Sequence, residues 1–296
     1  MSLTTNKIKK LKTDYNKNGF VLVKNFLPKA NCKKALNWLN RQNKKKLSKS
    51  WTETEPGVDL AVYFVIHQGN SLISKLANNK KVLDLASKLV DDEVYIYSSK
   101  VNLKAAWCGA VEYFHQDLVY WRDRGYPRDD MLSAMVFLEP HNDLNAPLNI
   151  FPKTHKLGFI KHEPFINING LAKFMVPPKT LTKLKKKYGV ARINAEPGDV
   201  LFFHMGCVHG SGHNISYNNR SVVLSQLNVK GNVPKNVQTN SKKFNLSRAR
   251  KEVEESKRRY EWFKKKYSKQ LNSKKVTFSA PIVKEEKEKF KIKSLN

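Results

Sequence analysis

The chain has 296 residues, enough for one large β domain or two small ones, and its 40% hydrophobic and 10% aromatic content excludes a disordered protein. A formal net charge of +30 comes mainly from lysines dispersed along the chain. Dispersed positive charge attracts polyanions but does not recognise base sequence, so we do not expect a nucleic-acid partner. The cysteines Cys32, Cys108 and Cys207 lack the close spacing of a disulfide framework or a thiolate zinc site. With no signal sequence and no apolar run of membrane length, the chain is predicted to be cytoplasmic and to have no membrane partner.

The N-terminal third predicts helices around a short strand. A first helix leads to a turn at Asn18 and Gly19, and a strand follows from Phe20 to Val23. Apolar residues then recur at helical spacing, which predicts a second helix: Cys32, Ala35, Leu36 and Leu39. Residues 71 to 90 predict two further short helices.

After residue 90 the pattern changes to strands that are rich in β-branched and aromatic residues and separated by Pro, Gly, Asn and Asp. Six segments show it: EVYIYSSKVNL, EYFHQDLVYW, MLSAMVFLEP, APLNIFP, DVLFFHMGCVHG and RSVVLSQLNV. Helices first and antiparallel strands later predict an α+β fold that is mainly β. We expect a double-stranded β-helix, or jelly-roll, core flanked by N-terminal helices, over residues 1–240.

Residues 241–296 differ in composition and predict a basic helical extension that ends in a tail. One stripe of this helix is apolar while the rest is charged: Leu246, Ala249, Val253, Tyr260, Phe263, Tyr267 and Leu271. Such a stripe needs a partner surface, and docking on the barrel or across a homodimer interface is favoured over nucleic acid or membrane.

One segment, YFHQDLVYW from Tyr113 to Trp121, carries a histidine and an aspartate in an aromatic and aliphatic run. In an extended chain residues i and i+2 point to the same face, so His115 and Asp117 are predicted to project together into the space which that face encloses. A surface strand is the alternative, but the flanking aromatic residues are poorly suited to water.

A second signal lies near residue 200, in EPGDVLFFHMGCVHGSGHNISYNNRSVV. A turn at PGD precedes a strand predicted from Val200 to Val208, with His209 at its end and Arg220 eleven residues further on. Two histidines and one carboxylate held by a barrel form the facial triad of non-haem Fe(II) oxygenases. A nearby arginine can grip the distal carboxylate of a keto-acid co-substrate with two parallel hydrogen bonds.

The order H-x-D, then a histidine roughly ninety residues later and an arginine eleven beyond it, resembles the phytanoyl-CoA dioxygenase family of Fe(II)/2-oxoglutarate oxygenases. The likeness runs from about residue 14 to residue 229. The segments YIYSSKVNLK, HQDLVYW, LNIFPKTHKLG and HGSGHNIS are similar to the ectoine hydroxylase branch. This resemblance implies that His115, Asp117 and His209 bind iron.

The same resemblance implies that Arg220 and Ser211 hold the distal carboxylate of 2-oxoglutarate, and that Asn102 and Ser133 help to seat this co-substrate. It also implies hydroxylation of a small-molecule substrate by O2, with release of succinate and CO2. Because Asp117 stands where related halogenases have a small residue, hydroxylation is expected and not halogenation.

The chain departs from the family around the site. PKTH stands where the family has PGSH, and Gln116, Leu118, Val119 and Tyr120 replace the Ser, Phe, Glu and Thr of the ectoine enzymes. We therefore expect an intact iron site with an altered substrate wall. The candidate substrate residues are Trp121, Tyr113 and His213.

Other polar residues near these motifs have ordinary interpretations. His204 has the opposite strand parity from His209 and is predicted to face away from the triad. His155 and His162 are assigned to surface loops, and Cys207 to core packing.

Lys100 and Lys104 follow one strand into the site region, but we interpret them as surface residues like most lysines of this chain. Two alternative functions stay open. The same iron site can perform desaturation or cyclisation, which a product mass distinguishes from hydroxylation. The second alternative is a non-catalytic basic barrel that binds a ligand or nucleic acid. Its binding would be unchanged by replacement of His115 or Asp117.

Overall fold

The computed structural model describes residues 3–44, 52–55, 58–64, 66–107, 109, 111–121, 126–166 and 172–232. The predicted extension 241–296 and its apolar stripe lie outside these residues. No helix in the described ranges is long and apolar enough to cross a membrane. These ranges contain six α-helices: α1 (Thr5–Asn18), α2 (Lys29–Lys44), α3 (Leu72–Ala77), α4 (Lys80–Val90), α5 (Leu118–Trp121) and α6 (Pro178–Tyr188).

Most of the strands lie between α4 and residue 232, where the sequence predicts them. The described residues contain thirteen: β1 (Phe20–Val23), β2 (Thr52–Glu55), β3 (Val58–Phe64), β4 (Val94–Lys104), β5 (Glu112–His115), β6 (Leu132–Phe137), β7 (Leu148–Ile150), β8 (Glu163–Ile166), β9 (Ala172–Met175), β10 (Ala191–Ile193), β11 (Val200–His204), β12 (His209–Ser211) and β13 (Arg220–Val229).

Two antiparallel sheets enclose an inner core. The larger sheet has the strand order β1-β11-β6-β13-β4-β3-β2, the smaller has β10-β7-β12-β5, and β8 pairs with β9. Leu148 and Ile150 of the smaller sheet pack with Phe203, Val222 and Leu224 of the larger sheet. This arrangement confirms the predicted jelly-roll core.

The N-terminal helices cover the outer face of the larger sheet. Along β6, Leu132, Ala134 and Val136 belong to the core beneath the helices, while Met135 and Phe137 belong to the inner core. Side chains alternate across a strand, so a strand covered on both faces is buried at every residue, as β6 is. The inner face of this sheet therefore surrounds whatever the barrel holds.

The predicted turn at Asn18 and Gly19 joins the first helix to the sheet. Gly19 has the left-handed φ of 84°, and its amide donates to the Tyr15 carbonyl at 2.7 Å. A Cβ atom at this position would lie 2.4 Å from Cys207 Sγ. Glycine is therefore required at this position for two reasons: the helix ends in a left-handed conformation, and the turn before β12 approaches the backbone closely.

Two predicted strands are wrong in extent. The run from Tyr113 is extended only as far as His115, because the amide of Tyr120 donates to the Asp117 carbonyl at 3.0 Å and the chain enters α5. The strand predicted from Val200 ends at His204, whose carbonyl accepts from the Cys207 amide at 2.9 Å. In both places a hydrogen bond within a local turn replaces the hydrogen bonds between strands. The preference of these residues for strands does not reveal such a turn.

A buried carboxylate fastens the end of β1 to the start of β11. Asp199 is fully buried, and its two oxygens accept from the amides of Asn25 at 2.8 Å and Glu196 at 2.9 Å. Lys24 Nζ lies 2.9 Å from the same carboxylate. This group thus satisfies two backbone amides that have no strand partner.

We expect Asp199→Ala to lower the free energy of unfolding by about 2–4 kcal/mol, because both amides lose their acceptor inside the protein. Urea unfolding measures this change. Asp143→Ala is the matched control, since its ion pair with Arg192 is exposed and contributes below about 1 kcal/mol. Equal losses in the two variants would contradict the assigned role of Asp199.

Candidate metal centre

Two neighbouring strands of the smaller sheet present the two histidines. His115 is the last residue of β5 and His209 the first of β12, and their Cα atoms are direct partners across the antiparallel ladder. The next pair joins Ser211 to Glu112, so β5 has one extra residue opposite Gly210 and forms a bulge. The bulge turns Glu112 toward the same side as His115.

Gly210 is what allows the bulge to close. A Cβ atom at this position would lie 2.8 Å from the Glu112 carbonyl oxygen and 3.0 Å from the Phe114 amide nitrogen. Both are backbone atoms, so neither can swing away. The missing side chain is therefore a requirement for the pairing that sets the two histidines opposite each other.

Asp117 reaches the same point from the turn that follows β5. Its Oδ1 atom lies 3.5 Å from Nε2 of His115 and 3.8 Å from Nε2 of His209. One ligand atom from each of the three residues falls within 4.8 Å of the others, and their side chains are only 8–12% exposed. The structure therefore brings the predicted triad together, although Asp117 is not on the strand.

Hydrogen bonds orient both imidazole rings. Nδ1 of His115 lies 2.7 Å from the Tyr113 carbonyl oxygen, and Nδ1 of His209 lies 2.9 Å from that of Cys207. A carbonyl only accepts, so Nδ1 carries the proton and Nε2 keeps its lone pair. Both Nε2 atoms point toward Asp117, which is the tautomer that a metal ligand requires.

Asp117 and His209 have the charge states that binding of a divalent cation requires. Burial acts to raise the pKa of Asp117, but His209 and His115 outweigh burial and hold that pKa well below its usual range. Burial and the charge of His115 lower the pKa of His209 to about 4. One carboxylate and neutral imidazole form a donor set that suits Fe(II).

A buried pair of cations lies further along the inner face. Lys104 on β4 is the direct cross-strand partner of Arg220 on β13, and the two residues are 1% and 4% exposed. Lys104 Nζ donates to Ser211 Oγ at 2.8 Å and to the Gly212 carbonyl at 2.6 Å. Arg220 donates to the Ala146 carbonyl, while its Nε has no partner among the described residues.

Two like charges opposite each other on paired strands destabilise a sheet unless an anion joins them. Burial, followed by the charge of Arg220, lowers the pKa of Lys104 well below its usual value. Burial lowers the pKa of Arg220 to about 10. Lys104 is buried, so its interpretation as a surface lysine is wrong, and the two cations face each other with donors that suit an anion.

A family model described as Phytanoyl-CoA dioxygenase (PhyH) matches residues 15–222. The chain belongs to the phytanoyl-CoA dioxygenase family. This match covers the triad, the cation pair and every element between α1 and β13.

Named relatives agree with this assignment. The chain is 27% identical over 179 residues to the L-proline trans-4-hydroxylase of Streptomyces griseoviridis, with 57% of this chain and 67% of the relative covered. It is 26% identical over 212 residues to the ectoine dioxygenase of Bordetella bronchiseptica, with 68% and 69% covered. The structure is similar to EctD from S. alaskensis with 2-oxoglutarate and 5-hydroxyectoine: TM-score 0.65, 25% identity, 78% of this chain and 80% of that chain.

The other predicted site residues lie at different places around the triad. Ser133 Oγ donates to Asp117 Oδ2 at 3.3 Å, so it contacts the triad carboxylate. Asn102 lies on β4 between the triad and the cation pair, and its buried Oδ1 has no partner among the described residues. Tyr113 is 52% exposed, and His213 is exposed in the turn after β12. Trp121 ends α5, and its side chain lies outside the described part of the structure.

Gln116 lies between His115 and Asp117, and its amide groups are hydrogen-bonded on every side. Its Nε2 donates to the carbonyls of Gly206 at 2.7 Å and Gly158 at 2.9 Å, and its Oε1 accepts from the Ile160 amide at 2.8 Å. Its own amide donates to His162 Nε2 at 3.0 Å. Gln116 is therefore a buried clamp on the metal-site turn and not part of a substrate wall.

The outcomes for the remaining histidines and for Cys207 differ. The surface assignment of His162 is wrong, because it is 8% exposed and bonded to Gln116. His204 lines a cavity of about 350 Å³ together with His155, Tyr15 and residues of α4, away from the triad. Cys207 is fully buried in the inner core, which confirms its packing role, and burial raises its pKa to about 12.

We expect Gly210→Ala to weaken Fe(II) binding at least about tenfold, because the added methyl group forces β5 away from β12 and misplaces His115 against His209. Anaerobic titration with Fe(II) measures the affinity. The matched control is Gly212→Ala, where a Cβ atom meets nothing within 4 Å. Unchanged affinity in the first variant would refute the role given to the bulge.

The metal-free protein should lose stability as pH falls from 7 toward 4. Burial lowers the pKa of His162 to about 4, so between pH 6.5 and 4 the unfolded chain binds a proton that the folded chain excludes. The loss attributable to this residue between pH 7 and pH 5 is about 2 kcal/mol.

Urea unfolding at the two pH values measures this dependence in the wild type and in His162→Gln, whose side-chain oxygen keeps an acceptor for the Gln116 amide. The variant should show a smaller change between pH 7 and pH 5. An equal change in both proteins would mean that His162 is not the titrating group.

Proposed function

We propose that this protein is a non-haem Fe(II)- and 2-oxoglutarate-dependent dioxygenase that hydroxylates a small molecule and releases succinate and CO2. The observation that carries the proposal is the convergence of two histidines and one aspartate, joined along one inner face to a buried cation pair. Membership of the phytanoyl-CoA dioxygenase family supports it. The named relatives, a proline hydroxylase and an ectoine dioxygenase, act on small molecules and support it further.

His115, Asp117 and His209 would hold the iron through the two Nε2 atoms and Oδ1. Three protein ligands would leave positions on the iron open to the co-substrate and O2. Bound iron and 2-oxoglutarate supply the oxidising chemistry. Ser133 holds the second oxygen of Asp117, and backbone carbonyls hold the imidazoles in the ligating tautomer, so the donor set needs little rearrangement to receive the metal.

Arg220, Lys104 and Ser211 would hold the distal carboxylate of 2-oxoglutarate. The Ser211 hydroxyl already accepts from Lys104, and its own proton is available to a carboxylate oxygen. The free Nε of Arg220 offers a further donor. A carboxylate here relieves the repulsion between the two cations, which gives the co-substrate a favourable binding energy and a fixed direction along the inner face. Asn102 lies along this path.

The substrate-contacting roles of Trp121, Tyr113 and His213 remain proposals, as do a cytoplasmic location and pairing of two copies through residues 246–271. The three candidate substrate residues lie at different distances along the chain from the proposed iron ligands. Tyr113 lies on β5, two residues before His115, and Trp121 ends α5 after the turn that carries Asp117, whereas His213 lies beyond the far end of β12.

Anaerobic addition of Fe(II) and 2-oxoglutarate should produce the visible charge-transfer band of this pair. Arg220→Ala and Lys104→Met should each raise the dissociation constant of 2-oxoglutarate by about 100-fold, because one charge of the carboxylate site is lost. Binding of Fe(II) alone should stay unchanged, since neither residue contacts the triad.

Lys179→Met, on the exposed side of α6, is the matched control for the loss of one lysine. If the wild type is folded and forms no band, the assignment of iron and 2-oxoglutarate is wrong. If the band forms equally well in Arg220→Ala and Lys104→Met, the cation pair serves another purpose.

A further inference from the structure

A third charged group lies beside the triad and is not used by the iron or by the carboxylate site. Glu112 on β5 and Lys173 on β9 form an ion pair of 3.0 Å. Their side chains are 33% and 17% exposed, so both are reachable and neither is freely solvated. A pair of this kind inside a barrel needs a reason, because burying charge is costly.

The bulge in β5 directs Glu112 toward the inner face. Its cross-strand partner is Ser211, whose hydroxyl bonds to the buried Lys104. Burial raises the pKa of Glu112, but Lys173, His115 and Lys100 outweigh burial and lower that pKa to about 2. The side chain is thus a carboxylate at neutral pH, close enough to the metal strand to act on His115.

β9 lies close to the triad. The Val176 amide, just after β9, donates to the Phe114 carbonyl of β5 at 2.7 Å. The ring of Phe174 lies 5.7 Å from that of Tyr120, which in turn lies 5.8 Å from His115. Lys173 therefore belongs to the wall next to the metal ligands and not to a distant surface.

Lys100 adds a second cation to this wall. It lies on β4 with the same parity as Lys104, and its charge acts on both Asp117 and Glu112. No ion pair joins it to another of the residues that the structure describes. The wall thus carries one carboxylate and two ammonium groups, in addition to the groups already assigned to iron and 2-oxoglutarate.

We propose that Glu112, Lys173 and Lys100 recognise the primary substrate, and that this substrate is a small molecule carrying both an ammonium and a carboxylate. The ammonium binds Glu112, and the carboxylate binds Lys173 and Lys100. A ligand with both charges replaces the ion pair by two matched contacts. A ligand with only one charge leaves one member of the ion pair without its counter-charge. This inference rests on the proposed oxygenase function, since it names the substrate class of that site.

The test uses wild-type protein loaded anaerobically with Fe(II) and 2-oxoglutarate, with binding measured by calorimetry. The probes are the twenty protein amino acids and ectoine. The strongest binder is then compared with its analogue lacking the carboxylate and its analogue lacking the nitrogen; for L-proline these are pyrrolidine and cyclopentanecarboxylate. We expect the zwitterion to bind at least about 30-fold more tightly than either analogue.

Two variants assign the charges. Glu112→Gln should abolish the preference over the analogue lacking nitrogen, and Lys173→Met should abolish the preference over the analogue lacking the carboxylate. Lys179→Met should behave as the wild type. The charge-transfer titration with Fe(II) and 2-oxoglutarate should be unchanged in all three variants. If the ion pair were merely structural, its loss would not alter the ligand preference while leaving this titration unchanged. Lys100→Met repeats the test on an unpaired residue if a pair variant fails to fold.

Several results would overturn the inference. One is a wild type that forms the band and binds no zwitterion of the panel. Another is a set of variants that keep the wild-type preference. A weakened band in Glu112→Gln or Lys173→Met would assign the pair to the co-substrate. Absence of the band in the wild type is a different result, because it removes the oxygenase function itself.

Discussion

The antiparallel pairing of β5 with β12 is the constraint on which the site depends. It sets His115 directly opposite His209, although 93 residues separate them along the chain. The bulge opposite Gly210 turns Glu112 inward, and the turn after β5 brings Asp117 to the two histidines. A regular ladder at the same register would direct Glu112 to the other face, since side chains alternate along a strand.

The interior of the barrel holds more charge than a core tolerates without ligands. Lys104, Arg220 and Asp117 are each at least nine-tenths buried, and each charged group costs free energy unless an opposite charge or hydrogen bonds compensate it. The apolar contacts beneath the N-terminal helices provide the stability that supports this interior. Such a division, with a stable outer core and a charged inner face, is what binding of a cation and an acid requires.

Residue type and order allowed part of the site to be predicted. Histidine and aspartate two residues apart, with a distant histidine and an arginine beyond it, indicate a facial triad with an acid-binding arginine. Lys104 escaped prediction because a lysine in a lysine-rich sequence carries no sign of burial. Gln116 and His162 escaped because their role is a set of contacts to backbone groups far along the chain.

Residue patterns alone were enough to predict the helices before residue 90, most of the strands, the jelly-roll class and the donor types of the metal site. These follow from local periodicity, turn residues and ligand chemistry. The folded chain was needed to show where the strands stop, that Asp117 reaches the histidines from a turn, and that Lys104 faces Arg220. The physical reason is that strand ends and side-chain directions depend on register and on hydrogen bonds between distant segments, which local preference does not encode.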